Sequence, residues 1–104
     1  MNLKEIINDD SWFNMLCLYE TGQLNPEFVA PLFQFLINKN IIWQMQGNLC
    51  STAICLIEDG VCVYSESSFR NQYGMEFPSR YEVQDNDPGS LTFQKNKGFN
   101  LISI

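Results

Sequence analysis

Four cysteines and no histidine set the first limit on the chemistry open to this chain. Cys17, Cys50, Cys55 and Cys62 are even in number, which in a secreted chain would hint at two disulfides. The start, MNLKEIINDDSW, carries acids where a secretion signal needs a basic flank and an apolar stretch, so a cytoplasmic protein with free thiols is expected. A structural zinc site usually shows close cysteine pairs, whereas four residues separate Cys50 from Cys55 and six separate Cys55 from Cys62, with no histidine to assist. Cys17, Cys55 and Cys62 lie in apolar runs, where a thiol behaves as a small hydrophobe, so buried thiols, no metal and no cofactor are expected. A catalytic cysteine needs a depressed pKa, which a histidine-free chain has little means to create. The expectation is a protein that is not an enzyme.

The other groups with chemical potential are polar or acidic. In IIWQMQGNLCSTAICLIEDG, residues 41–60, Gln44, Gln46 and Thr52, with Ser51, can surround a ligand pocket floored by Trp43. The competing reading makes Trp43 a core anchor, Gly47 a turn, Asn48 or Ser51 a helix cap, and Thr52–Ala53 a place where two helices approach. The second is preferred, because no activated nucleophile and no paired carboxylates in register accompany these residues. Glu76, Glu82, Asp85 and Asp87 suggest a cation loop, yet Asp85-Asn86-Asp87-Pro88-Gly89 lacks the length and closing Glu of a calcium loop and reads as a turn. Phe69, Tyr73, Met75 and Phe77 with Arg70 and Arg80 have the composition enriched at interface centres.

Charge narrows the partners. The formal net charge is −6, and residues 1–60 hold seven acids against Lys4 and Lys39. Phosphate-tracking surfaces need clustered Lys and Arg, so direct nucleic-acid binding is not expected. A helix-turn-helix reader would place residues 48–59 in the major groove, but that segment has no Lys or Arg and ends in Glu58-Asp59. No apolar run reaches the roughly 18 residues of a membrane span. Glu20, Glu27, Glu58 and Asp59 are free to face a basic protein.

The elements that must position these groups follow from periodicity and punctuation. Trp12, Met15, Leu16 and Tyr19 recur at helical spacing between the capping oxygens of Asp9, Asp10 and Ser11 and a left-handed stop at Gly22, which predicts a helix over about 11–21. Asn25-Pro26-Glu27 opens a second helix, apolar on nearly every side, that either kinks at Pro31 or becomes regular there and stops at Asn38-Lys39-Asn40. A third runs from Asn48 to Asp59, with Leu49, Ala53, Leu56 and Ile57 on one face. After Gly60 the pattern turns to β type: VCVYS, RYEVQ, a turn at Asp87-Pro88-Gly89, and SLTFQ joined by Lys95-Asn96-Lys97-Gly98 to FNLISI as a closing hairpin, with Leu91 and Phe93 opposite Phe99 and Leu101. Residues 66–79 read as an irregular loop. One domain spanning 1–104 is expected, of class α+β: three N-terminal helices, then a small antiparallel sheet ending in a hairpin.

Several blocks carry a resemblance. L-Y-E-T-G-Q-L at 18–24, L-F-Q-F-L-I at 32–37, W-Q-M-Q-G at 43–47, T-A at 52–53 and L-I-E-D-G at 56–60 resemble a family of small proteins of tailed bacteriophages and related bacterial elements, described only as a domain of unknown function. The resemblance covers about residues 18–62 and departs from the pattern where members often show Gly-Arg before Thr-Ala, since this chain has Cys50-Ser51. It implies a phage or mobile-element origin and brings no catalytic residues. Together these readings predict a non-enzymatic accessory protein that binds and modulates a host or defence protein through Phe69, Arg70, Tyr73 and Phe77, helped by the acids. The alternative is a small-molecule binder using Trp43, Gln44, Gln46 and Thr52. The apolar strand FNLISI gives a homodimer an unblunted edge.

Overall fold

The computed structural model describes residues 6–45 and 47–99. Among them the chain forms four α-helices, α1 (Trp12–Glu20), α2 (Val29–Asn38), α3 (Asn48–Glu58) and α4 (Leu91–Asn96). Single 3-10 turns lie at Pro26–Phe28 and Ile42–Gln44, and the strands β1 (Phe69–Arg70) and β2 (Glu76–Phe77) form one antiparallel pair. The class is α+β, with three longer helices ahead of a small antiparallel sheet. No helix among the described residues is long and apolar enough to cross a membrane.

Helix α2 is the axis of the helical part. Every residue from Pro31 to Ile37 is buried, and α1 and α3 both pack on it. Pro31 falls in the first turn of α2, where a backbone N–H has no intrahelical acceptor, so the regular helix begins beside the proline and is not kinked by it. Leu32, Phe33, Leu36 and Ile37 meet Met15 and Leu16 of α1, Ala53 and Ile57 of α3, and Ile42 and Trp43 of the second 3-10 turn. Tyr19 lies edge-on to Phe33 at 5.2 Å.

All four helices end the same way. A residue with positive φ follows the last turn (Gly22, Asn40, Gly60 and Gly98), and the next N–H reaches back to a carbonyl in that turn: Gln23 to Leu18, Ile41 to Leu36, Val61 to Leu56 and Phe99 to Gln94. This is the left-handed termination that glycine adopts without steric cost. The helix starts differ from expectation, because neither Ser11 nor Asn25 makes a side-chain capping bond and α3 begins from Gly47, not from the side chain of Asn48 or Ser51. Ser11 instead turns its hydroxyl to the Ile6 carbonyl at 2.6 Å.

The second half corrects the sequence reading in detail. VCVYS is buried at Cys62, Val63 and Ser65 but pairs with no strand, RYEVQ is a series of turns and bends, and Leu91–Asn96, expected as strand and turn, form α4. Ser90 caps that helix, its hydroxyl accepting the Phe93 N–H at 3.1 Å. Lys95-Asn96-Lys97-Gly98 is therefore a helix terminus with the composition of a hairpin turn. Residues 100–104, including Leu101 and most of the expected last strand with its dimer edge, lie outside the described residues. The sheet sits instead within the segment read as an irregular loop, 66–79.

With so little regular structure after Gly60, buried backbone groups must find other partners. The Gln34 amide supplies two: its Oε1 accepts the Val63 N–H at 2.9 Å and its Nε2 donates to the Val63 carbonyl at 3.1 Å. Gln94 donates to the Val61 carbonyl at 2.8 Å, and the Tyr64 N–H donates to Gly89 at 3.1 Å. Replacing Gln34 with methionine keeps the volume but strands both polar groups of Val63. Urea unfolding of Gln34→Met should show a loss of about 2–4 kcal/mol, and a loss below about 1 kcal/mol would mean that water reaches Val63.

Candidate functional site

The hairpin is the most elaborately fastened surface element of the described chain. Its register sets Phe69 opposite Phe77 and Arg70 opposite Glu76. Strand alternation sends the two phenylalanines inward and the charged pair outward. Phe77 stacks on Trp43, ring centroids 4.0 Å apart and planes 9° from parallel. Arg70 and Glu76 form an exposed ion pair at 2.5 Å. Such a pair adds little to stability, and it occupies the Arg70 guanidinium with a neighbouring carboxylate.

Asn71 ties the turn between the strands to the core. Its Oδ1 accepts the N–H groups of Tyr73 and Met75, both at 3.0 Å, and its Nδ2 donates to the Trp43 carbonyl at 3.1 Å. The turn is thus wrapped around a buried carboxamide, and the side chains of Tyr73 and Met75 stand out in solvent, Tyr73 57% exposed. After β2 the chain is fastened again. Arg80 is only 3% exposed, its Nε donating to the Tyr64 carbonyl and its Nη2 to Asn38 Oδ1, each at 2.8 Å. Tyr81, 65% exposed, projects beside it.

A depression of about 380 Å³ opens along the hairpin, lined by Ser68, Phe69, Arg70, Glu76, Phe77, Pro78 and Glu82. Glu82 is held at its edge because its Oε1 accepts the Ser79 N–H at 3.0 Å. A second hollow, about 460 Å³, lies between α1 and α3 against Tyr19, Glu20, Asn48 and Leu49.

The sequence-predicted groups are only partly brought together. Phe69, Arg70 and Tyr73 belong to the hairpin, but Phe77, expected as a contact anchor, is buried because its ring is needed against Trp43. Glu20, Glu27, Glu58 and Asp59 are exposed on the helical half and none lines the hairpin depression. Of the alternative pocket, Trp43 is 1% exposed beneath the hairpin and lines neither hollow. Gln44 is exposed and donates to the Asn40 carbonyl at 3.1 Å, Thr52 is half-buried on α3, and Gln46 lies outside the described residues. Tyr81, Asn71 and the buried role of Arg80 went unread. Asn71 has a signal: an Asx side chain two residues before a solvent-facing aromatic is the pattern of a turn that bonds its own backbone.

The thiols also differ from expectation. All four are free, but only Cys62 is buried; Cys50 is half-buried, and Cys17 and Cys55 are exposed on α1 and α3. Among the described residues no three Cys, Asp or Glu side chains converge as metal ligands would. Burial pushes the Cys62 thiol up to about 12, and desolvation also raises Cys50, whose Sγ points at the carbonyls of Ile42 and Met45. Burial, with the Glu58 carboxylate second, raises the Tyr64 hydroxyl.

Two outcomes follow for the native protein. Iodoacetamide should label Cys17 and Cys55 within minutes and Cys62 only after denaturation, as peptide mass mapping will show. An unfolded chain gives up the Cys62 proton near 9.0 whereas the folded one keeps it to about 12. Stability from the neutral thiol is therefore whole below about pH 9 and falls as the pH rises toward 12. The unfolding free energy from urea titrations should decline across that range by up to about 1.4 kcal/mol per pH unit more in the parent than in Cys62→Ala. No protein-family model, curated protein or solved structure matches the chain, so the reading of this surface rests on its own geometry.

Proposed function

We propose that this chain is a non-enzymatic accessory protein of a phage or mobile element that binds and modulates a host or defence protein, using the hairpin turn and the Tyr81 loop as its contact surface. The observation that carries this reading is the pair of exposed tyrosines, Tyr73 and Tyr81, on backbone fastened to the core through Asn71 and Arg80. Large, amphipathic side chains on pre-ordered backbone lose little entropy on docking, which is why tyrosine is frequent among residues that dominate binding. The acid surplus favours approach to a basic partner. The phage or mobile-element origin is supported by the resemblance of the W-Q-M-Q-G, T-A and L-I-E-D-G blocks.

Affinity purification from host cells with three forms of the chain tests this: parent, Tyr73→Ser/Tyr81→Ser, and Phe13→Ser, which alters an exposed aromatic on α1. A specific protein should co-elute with the parent and the α1 variant and fall by about tenfold or more with the double variant, all three unfolding at similar temperatures. Equal retention by all three would sink the proposed surface. Stabilisation by a member of a nucleotide and metabolite library would favour the small-molecule alternative.

A further inference from the structure

We infer that the depression along the hairpin receives an arginine side chain from a basic segment of the partner protein; this deepens the proposed function and rests on it. The hollow has two kinds of wall. Phe69, Phe77 and Pro78 give it apolar surface, and Ser68, Arg70, Glu76 and Glu82 give it a larger polar share. A volume of about 380 Å³ is at the small end of ligand pockets, suited to one long side chain and its hydration and too small for a helix. A lining that mixes aromatic and proline surface with carboxylates matches a side chain with an alkyl stem and a cationic head, since such chains lay the stem on apolar groups and keep the charge hydrated.

Charge selects the sign of the occupant. Among the described residues Arg70 is the only cation lining the hollow and is already paired with Glu76, while Glu82 has no cation beside it. Glu82 is also positioned in advance: the Ser79 N–H holds Oε1. Its other oxygen can accept from an incoming guanidinium without first ordering the side chain. The chain as a whole has the same sign, with a formal net charge of −6. Arginine suits the site better than lysine, since its planar head can stack on Phe69 while its fork meets a carboxylate. Tyr73 and Tyr81 would then grip the rest of the segment.

The probe is a short amidated peptide of alternating Arg and Gly, titrated into the full-length protein and followed by backbone amide chemical shifts. Expected is saturable binding with the largest shifts at residues 68–70 and 76–82, weakened roughly five- to tenfold in Glu82→Gln and under twofold in Glu27→Gln, which removes the same charge elsewhere. Equal weakening by the two variants would mean diffuse attraction and overturn the inference. So would absence of binding at millimolar peptide, equal binding of a Glu-Gly peptide, or equal affinity for free arginine amide, which would make the ligand a small cation. If a host protein is lost with Tyr73→Ser/Tyr81→Ser but retained equally by Glu82→Gln, the arginine inference fails while the protein-binding reading stands. If the peptide binds through Glu82 and no host protein is retained, the hollow is an arginine site, but the protein-binding reading fails and with it the partner protein as the source of the side chain.

Discussion

The fold depends on side chains of the helices acting as backbone partners for a segment that has almost no regular structure of its own. Residues 61–65 bring Cys62, Val63 and Ser65 into the interior without regular secondary structure, and buried backbone must have its N–H and C=O groups satisfied. No neighbouring strand does this. The Gln34 carboxamide, a peptide group in chemical kind, faces Val63 and exchanges both bonds with it, as an opposing strand residue would. Gln94 meets Val61, Arg80 meets Tyr64 through its side chain, and the Arg80 N–H meets Ser65 at 2.8 Å. The polar residues Gln34, Gln94 and Arg80 are therefore buried as parts of the scaffold.

That arrangement determines where the molecule can be rigid at its surface. A two-residue strand pair has no independent stability in water, so the hairpin's geometry is borrowed from what lies below it. Three attachments supply it: Phe77 on Trp43, Asn71 on the Trp43 carbonyl, and Arg80 on Asn38. Trp43 is common to two of them. Its ring supports one strand and its carbonyl supports the turn, so a residue that looked like the floor of a pocket serves as the seat of an exposed element. The exposed Tyr73 gains its definition from this seat.

The helical half was legible because burial and punctuation agree there. A stripe of Trp12, Met15, Leu16 and Tyr19, a proline near a helix start and glycines after helix ends each have a single structural meaning, and the three longer helices lie within a few residues of their expected bounds. Past Gly60 the same symbols are ambiguous. Ser90 and Gly98 bracket a helix of only six residues, too short to show a period, and bracket a strand equally well. Alternating Val61, Val63 and Tyr81, Val83 suggest ladders, but alternation reports extended backbone and not the identity of its hydrogen-bond partner. The composition of residues 66–79 pointed to a contact surface, yet which aromatics face out is set by strand register, and a shift of one residue would have exposed Phe77 in place of Glu76.

Arg80 shows how the two halves are joined electrostatically as well as sterically. A guanidinium stays charged at any ordinary pH, and removing it from water is costly unless negative potential replaces the solvent. Its described bonds are to neutral oxygens, and neither ion pair among the described residues includes it. One of those oxygens, Asn38 Oδ1, belongs to the last residue of α2, at the negative end of the helix dipole. The cation is thus held at the one terminus of the central helix that favours it, and Asn38 Oδ1 accepts from Gln34 Nε2 at 2.9 Å as well. Gln34, Asn38 and Arg80 form one connected set: the amide that completes Val63 and the guanidinium that fixes the Tyr81 loop share an acceptor. Loosening the interior at either donor releases a constraint on the other, which couples the order of the tyrosine-bearing surface to the packing of α2 itself.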